Sequence, residues 1–168
     1  MYALMENGEI VISDMAKLDR SERILTSVVQ GIIKNYGSKF SLNSLAKEME
    51  ISSHVTVRDY LELLDELYVA RSFFQKKRER PAFRSDRKAY FIDPFLFRVF
   101  YKRYSGTHEV PYERIAHVVE GIVGENLKRI FNDVYFFLKT KIILSKTDLK
   151  TTGEVMIIPV SIFLASLT

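Results

Sequence analysis

Apolar residues recur at helical spacing in two adjacent segments between residues 40 and 70. The first segment has Leu42, Leu45, Ala46 and Met49, and the second has Val57, Leu61, Leu64 and Leu67. A short polar turn, residues 50–53, separates them. Ser41 and Ser53 precede the two segments, where a serine oxygen can accept a backbone N–H of the first turn. The pattern predicts two capped helices joined by a tight turn.

Two strands are predicted directly after this helix pair. Residues 71–74 and 89–92 have strand-like composition, and the loop between them is basic, polar and too long for a tight turn. Helix, tight turn, helix, strand, basic loop and strand is the order of a winged helix. We therefore expect a winged helix-turn-helix domain.

Two further helices complete the predicted domain. The first begins near Asp19, which has capping-box spacing with Glu22, and it ends at Tyr36 and Gly37, where glycine suits a C-terminal cap. The second starts at Asp93 and Pro94, since aspartate caps a helix and proline is tolerated in its first turn. These boundaries place the winged helix domain at residues 18–104.

A smaller unit is expected at residues 110–168, after a linker at 105–110. Pro111 opens the longest predicted helix, in which Gly121 and Gly124 favour close helix packing. They do not form a phosphate-binding loop, because no Lys-Ser/Thr pair follows them. Strands are predicted near residues 134–138 and 154–158, with a short one at 142–144. The fold class is therefore α+β, a winged helix domain followed by an incomplete α/β unit.

Composition and the chain ends indicate a cytoplasmic protein. The chain has no cysteine, which excludes disulfides and a thiol nucleophile and suits a reducing compartment. Residues 1–18 lack the pattern of a signal peptide. Residues 155–167 are apolar but too short to span a membrane, and Pro159 and Ser161 interrupt them. We expect no membrane association.

Positive charge is concentrated in the basic loop. Seven cations and two acids lie between Lys76 and Lys88, whereas the net charge of the whole chain is +4, so the remainder carries a net charge of −1. A loop of this kind is suited to a polyanion. A solvated hairpin tip that serves only solubility is the alternative.

The candidate DNA contacts come from the second helix of the pair and from the basic loop. The start of that helix would enter the major groove and the loop would hold phosphates. The residues are Ser52, Ser53, His54, Thr56, Arg58, Lys76, Lys77, Arg78, Arg80, Arg84, Arg87 and Lys88. Acids further along the same helix would repel phosphate, which leaves open that the motif packs against protein: Asp59, Glu62, Asp65 and Glu66.

No catalytic residue, metal site or cofactor is expected. The three histidines, His54, His108 and His117, lack the spacing of metal ligands. A metal-dependent nuclease needs two or three acids and a lysine converging on one metal. Glu125, Asp133, Asp148 and Glu154 are the acids of the C-terminal part, and no acid-x-lysine sequence follows them on a later strand.

The order of these segments resembles the C-terminal region of archaeal and bacterial AAA-type ATPases, in which a winged helix precedes a degenerate PD-(D/E)xK nuclease-like domain. Three stretches carry the resemblance: SLNSLAKEMEISSHVTVRDYLELLDELYVA, KAYFIDPFLFRVF, and GIVGENLKRIF followed by VYFFLK and TGEVMII. It implies that Glu125 matches the helix glutamate of that family and Glu154 the glutamate of its Glu-Val-Asp motif.

Two departures from that family matter. The ATPase module is absent, so nucleotide hydrolysis is not implied. Met156 stands where the family has the aspartate of its motif, so neither glutamate should support cleavage. The leading hypothesis is a non-enzymatic protein that binds double-stranded DNA, a stand-alone remnant or truncated paralogue of the ATPase region. The alternative is a protein-interaction or dimerisation module, with a homodimer or an ATPase as partner and no DNA contact. A nuclease is the weakest hypothesis.

Overall fold

The computed structural model describes residues 21–77, 80–81, 86–130, 135–136, 141–145, 150–152 and 155–159, with side chains at 21–75 and 86–129. The helices in this part of the chain are α1 (Glu22–Lys34), α2 (Leu42–Glu48), α3 (His54–Glu66), α4 (Pro94–Ser105) and α5 (Tyr112–Ile130). The strands are β1 (Ala70–Lys77), β2 (Arg80–Pro81), β3 (Arg87–Phe91), β4 (Tyr135–Phe136), β5 (Lys141–Ser145), β6 (Lys150–Thr152) and β7 (Val155–Pro159). The predicted α+β class is confirmed.

Helix α1 begins later than the sequence predicted. Its N-cap is Ser21, whose Oγ accepts a hydrogen bond from the Ile24 amide at 3.4 Å. The Ser21 amide donates to the Tyr60 hydroxyl at 2.8 Å. The expected start near Asp19 is therefore wrong for the helix itself, and Asp19 lies outside the described residues. A contact with α3, distant in sequence, fixes this cap.

The predicted N-caps of α2, α3 and α4 are confirmed, whereas α1 ends at Lys34 with Asn35 as its C-cap, two residues before the expected Gly37. Ser41 and Ser44 form a capping box at the start of α2, and Ser53 accepts from the Val55 amide at 3.1 Å. Asp93 caps α4 by accepting from the Phe95 amide at 2.7 Å. Each cap satisfies an N–H that the first helical turn would otherwise leave unpaired.

The core lies between α1, α3, α4 and the β1–β3 hairpin. The stripe predicted for α3 is buried, apart from Leu67, which caps the C-terminus of α3 and is 40% exposed. Leu25, Val28, Ile32 and Ile33 of α1 are buried as well. Tyr36, just beyond α1, packs on Phe97 of α4 with ring centroids 4.4 Å apart. The fully buried side chains include Leu25, Val28, Ile32, Leu45, Val57, Leu61, Leu64, Phe97 and Phe100. The helix pair thus rests on a packed apolar layer.

The hairpin is longer than predicted. β1 pairs with β3 in antiparallel register from Ala70↔Phe91 to Phe74↔Arg87. β1 then continues to Lys77, which pairs with Arg80 of β2. Only two residues separate Lys77 from Arg80 in sequence, so the stretch predicted as one long loop between β1 and β3 contains a short additional strand, β2. β4 runs parallel to β1.

The C-terminal strands form a separate mixed sheet in the order β5–β7–β6, with β5 parallel and β6 antiparallel to β7. The strands predicted near residues 134–138, 142–144 and 154–158 correspond to β4, β5 and β7 and are confirmed. β6 was not predicted. Its sequence, Lys-Thr-Thr, has no apolar residue to signal a strand.

Helix α5 packs against one face of the β1–β3 hairpin. A Cβ on Gly121 would lie 2.9 Å from the Cβ of Tyr90, and one on Gly124 would lie 2.9 Å from the Phe73 ring. The prediction that these glycines permit close packing is confirmed. Among the helices that the structure describes, none combines the length and apolar content that a membrane span requires.

Candidate nucleic-acid interface

The first turn of α3 gathers the residues that the sequence analysis selected there. Ser52, His54 and the neighbouring Val55 are exposed, and Ser53 and Thr56 are partly exposed. Val57, in contrast, is fully buried and fixes this turn to the core. The result is a small exposed surface of hydroxyl, imidazole and methyl groups on a rigid helix.

Val55 was missed by the sequence analysis. It is 40% exposed and lies among the polar residues of the first turn. Its position outside the stripe of Val57, Leu61 and Leu64 was the available signal, since an apolar residue off the buried face of a helix has no core role.

Arg58 is engaged by acids of its own helix. Its guanidinium lies 3.2 Å from Asp59 Oδ1 and 3.8 Å from Glu62 Oε1. All three side chains are 40–60% exposed, so these ion pairs are weak and can exchange with a phosphate. Arg58 nevertheless adds little net positive charge to the surface of α3 in this conformation.

The far half of α3 is acidic. Glu62, Asp65 and Glu66 line an open pocket of about 310 Å³ together with Tyr68 and Arg71. Burial raises the pKa of Asp65, and the charge of Arg71 opposes that shift. This surface would repel a phosphate backbone, as the sequence suggested.

An ion-pair cluster connects α3, β1 and α5. Arg71 Nε donates to Glu125 Oε2 at 2.9 Å, Arg71 Nη2 donates to Glu125 Oε1 at 3.2 Å, and Arg71 Nη1 pairs with Asp65. Glu125 is 4% exposed, and Arg129 also approaches it, at 3.4 Å. The hydrogen bond to Glu125 raises the pKa of Arg71. The pair fixes α5 to the first strand of the hairpin.

This cluster bears on the nuclease hypothesis. Both carboxylate oxygens of Glu125 accept hydrogen bonds from Arg71. Glu154 lies outside the described residues. Within the part of the chain that the structure describes, no three His, Asp or Glu side chains are grouped so that they could hold a metal ion.

The end of the hairpin formed by β1 and β2 carries three of the predicted cations. Lys76 pairs with Pro81 and Lys77 with Arg80, at the end of β1 that extends beyond β3. Arg78 and Arg84 lie outside the described residues. The structure thus brings Lys76, Lys77 and Arg80 to one end of the hairpin.

Arg87 is in the interior, and the expectation that it is a surface cation is wrong. It is 3% exposed, and its guanidinium lies 4.5 Å from the centre of the Phe74 ring. Cross-strand partners share a face of the sheet, so the register that pairs Phe74 with Arg87 places the two side chains together. Phe40 exchanges two backbone hydrogen bonds with Arg87, at 2.8 and 2.9 Å. Burial lowers the pKa of Arg87.

Lys88 has a structural partner. Its Nζ lies 2.6 Å from Glu120 Oε1 on α5, and its side chain is 20% exposed. Glu120 also lies 3.5 Å from Nδ1 of His117. Lys88 therefore contributes to the attachment of α5, and its charge is offset locally.

Comparison with protein families gives one match, a domain of unknown function, DUF8612, over residues 8–104. This span exceeds half of the chain. The chain belongs to the DUF8612 family. No curated protein and no solved structure matches it.

The DUF8612 domain contains every residue predicted to contact DNA, because all of them lie between Ser52 and Lys88. α5 and strands β4 to β7 lie beyond the matched range. The Arg71–Glu125 and Lys88–Glu120 pairs thus join the DUF8612 domain to a helix that follows it.

Proposed function

We propose that this chain is a non-enzymatic, cytoplasmic protein that binds double-stranded DNA through a winged helix. α2 and α3 act as the helix-turn-helix, and the β1–β3 hairpin with its β2 extension acts as the wing. The observation that carries the proposal is the concentration of positive charge at one end of this hairpin. Lys76, Lys77 and Arg80 lie there, and Arg78 and Arg84 belong to the same stretch of sequence.

The exposed groups indicate which residues would provide affinity for DNA and which would provide specificity. Backbone phosphates provide most of the affinity of such proteins, and base edges provide specificity. The hairpin cations would neutralise phosphates. Ser52, His54 and Thr56 would approach base edges at the start of α3, where the helix is free of acids until Asp59. Arg87 and Lys88 no longer belong to the proposed contact set, because one is buried and the other is paired with Glu120.

The resemblance to the AAA-type ATPase region provides a context for this activity. We propose that the chain corresponds to that region and acts without nucleotide hydrolysis or nuclease activity. The bidentate contact from Arg71 to Glu125 supports the absence of cleavage, because a carboxylate already bound by an arginine is a poor metal ligand.

Duplex affinity measured against salt tests the DNA proposal. Release of counterions predicts that log K falls with log salt at a slope near −0.9 for each phosphate contacted. Replacing Lys77 and Arg80 with alanine should weaken binding to all sequences alike and reduce the slope by about 2. The matched control removes two cations from α4, Arg98 and Lys102, and should leave the slope unchanged. A flat slope, or equal losses in both variants, would refute the proposal.

A second function is supported by the acidic half of α3. The pocket formed by Glu62, Asp65, Glu66 and Tyr68 favours a protein surface over DNA. A protein-interaction module, either a homodimer or an accessory part of an ATPase, is therefore the alternative. Failure to bind duplex at low salt, together with formation of a complex in sedimentation experiments, would favour it.

A further inference from the structure

Helix α5 is apolar on the side opposite its packed face. Its inner side carries Gly121, Gly124 and Glu125, which meet Tyr90, Phe73 and Arg71 of the hairpin. On its outer side, Tyr112 is 84% exposed, Ile115 45% and Val119 42%. A helix that is apolar on two opposite sides is normally buried on both.

The outer residues form a regular seam. Tyr112, Ile115, Val119, Val123 and Asn126 follow one another at intervals of three, four, four and three residues. At 100° per residue, they fall within an arc of about 80°. None of them carries a charge at neutral pH. Spacing of three and four is the spacing of a helix that packs along another helix.

The seam is symmetric about Val119. In an antiparallel pair of α5 helices centred on this residue, Tyr112 faces Asn126 of the other copy and Ile115 faces Val123. At the edges, the small Ala116 faces the larger Ile122. Asn126 Nδ2 donates to the Ile122 carbonyl of its own helix at 2.8 Å, which leaves its Oδ1 to accept from the Tyr112 hydroxyl. The same surface therefore complements itself, as a two-fold interface requires.

β4, the first strand that the structure describes after α5, pairs with β1 of the hairpin, which lies on the inner side of the helix. The seam lies on the opposite, outer side.

We propose that the outer face of α5 is a homodimer interface in which two copies pack antiparallel about Val119. This goes beyond DNA binding and does not depend on it. The seam is about 22 Å long, the length of about four helical turns. A contact of this length along one helix is expected to form a weak dimer, so it is measured at high protein concentration.

Cysteine crosslinking tests the pairing directly, because the chain has no cysteine of its own. Val119→Cys should form a disulfide-linked dimer under mild oxidation, since the two Val119 positions are adjacent in the pair. Tyr112→Cys and Asn126→Cys should each stay largely monomeric alone and crosslink when mixed. Glu113→Cys, exposed and off the seam, is the control and should not crosslink.

Sedimentation equilibrium of the full chain provides the second measurement. Val119→Asp places two carboxylates face to face and should weaken dimerisation at least tenfold. Glu113→Gln, also a change of one charge, should not alter it. A monomer at all concentrations would overturn the proposal, whether the seam is bare or covered by another segment of the same chain. A dimer in which Val119→Cys does not crosslink would overturn it as well.

Discussion

Arg71 and Glu125 are joined by two hydrogen bonds, at 2.9 and 3.2 Å, although 54 residues separate them in sequence. Both side chains are largely buried, at 16% and 6% exposure. The pair connects the first strand after the helix pair to α5. It makes α5 part of the same packed structure as the DUF8612 domain.

Glu125→Ala is expected to destabilise the fold by about 3 kcal/mol, because among the described residues it leaves the largely buried Arg71 with Asp65 as its one acidic partner. Urea unfolding followed by circular dichroism measures the loss. Arg129→Ala is the control and should cost less than about 0.5 kcal/mol, since its side chain is 68% exposed. Equal effects in the two variants would contradict the importance of the Arg71–Glu125 pair.

Gly121→Ala should destabilise more than Gly124→Ala. The new Cβ at 121 would meet the Cβ of Tyr90, which cannot move without the backbone, whereas the one at 124 would meet the far end of the Phe73 ring, which can shift. Overpacking of this kind costs about 1–3 kcal/mol, against a gain of about 1 kcal/mol in helix propensity. The difference in unfolding midpoints checks the order, and the reverse order would show that α5 packs differently.

Arg87→Met is expected to keep or raise stability and to leave DNA affinity unchanged. Arg87 is buried with its Nε lacking a hydrogen-bond partner in the described structure, so an apolar chain of similar length removes a desolvation cost. Unfolding and duplex titration are measured on the same protein. A loss of DNA affinity comparable to that of the Lys77 and Arg80 double variant would show that Arg87 does contact DNA.

Alkaline pH should unfold the protein partly through Tyr90. Burial, reinforced by the charge of Glu120, raises the pKa of this phenol above its ordinary value of 10.0. Since the folded pKa is the higher one, the associated stability is fully present below pH 10 and is lost as the pH rises above it. Tyr90→Phe removes the ionisation from the unfolded state and should move alkaline unfolding to higher pH. Tyr112→Phe, at an exposed position, should not.

Local chemistry predicted the starts of α2, α3 and α4. Ser41, Ser53 and the Asp93–Pro94 pair each begin a helix as expected. At α1, the sequence predicted Asp19, whereas the cap in the structure is Ser21, and the contact from Ser21 to the Tyr60 hydroxyl could not be read from the sequence.

The role of each cation in the basic stretch depended on strand register. Seven cations in thirteen residues predicted a surface loop, but the pairing of Phe74 with Arg87 directs the Arg87 side chain into the core. Lys88, next in sequence, points to the opposite face and meets α5. A shift of one residue in register would exchange these two environments, and the sequence alone does not fix that register.

The close packing of α5 has a practical consequence for anyone who dissects this protein. A fragment cut at residue 104, where the family match ends, would uncover the Phe73 and Tyr90 rings and remove Glu125 and Glu120, which pair with Arg71 and Lys88. Such a fragment would be prone to aggregate, and failure of the aggregated fragment to bind DNA would not test the proposed function. Expression boundaries should therefore fall after residue 130.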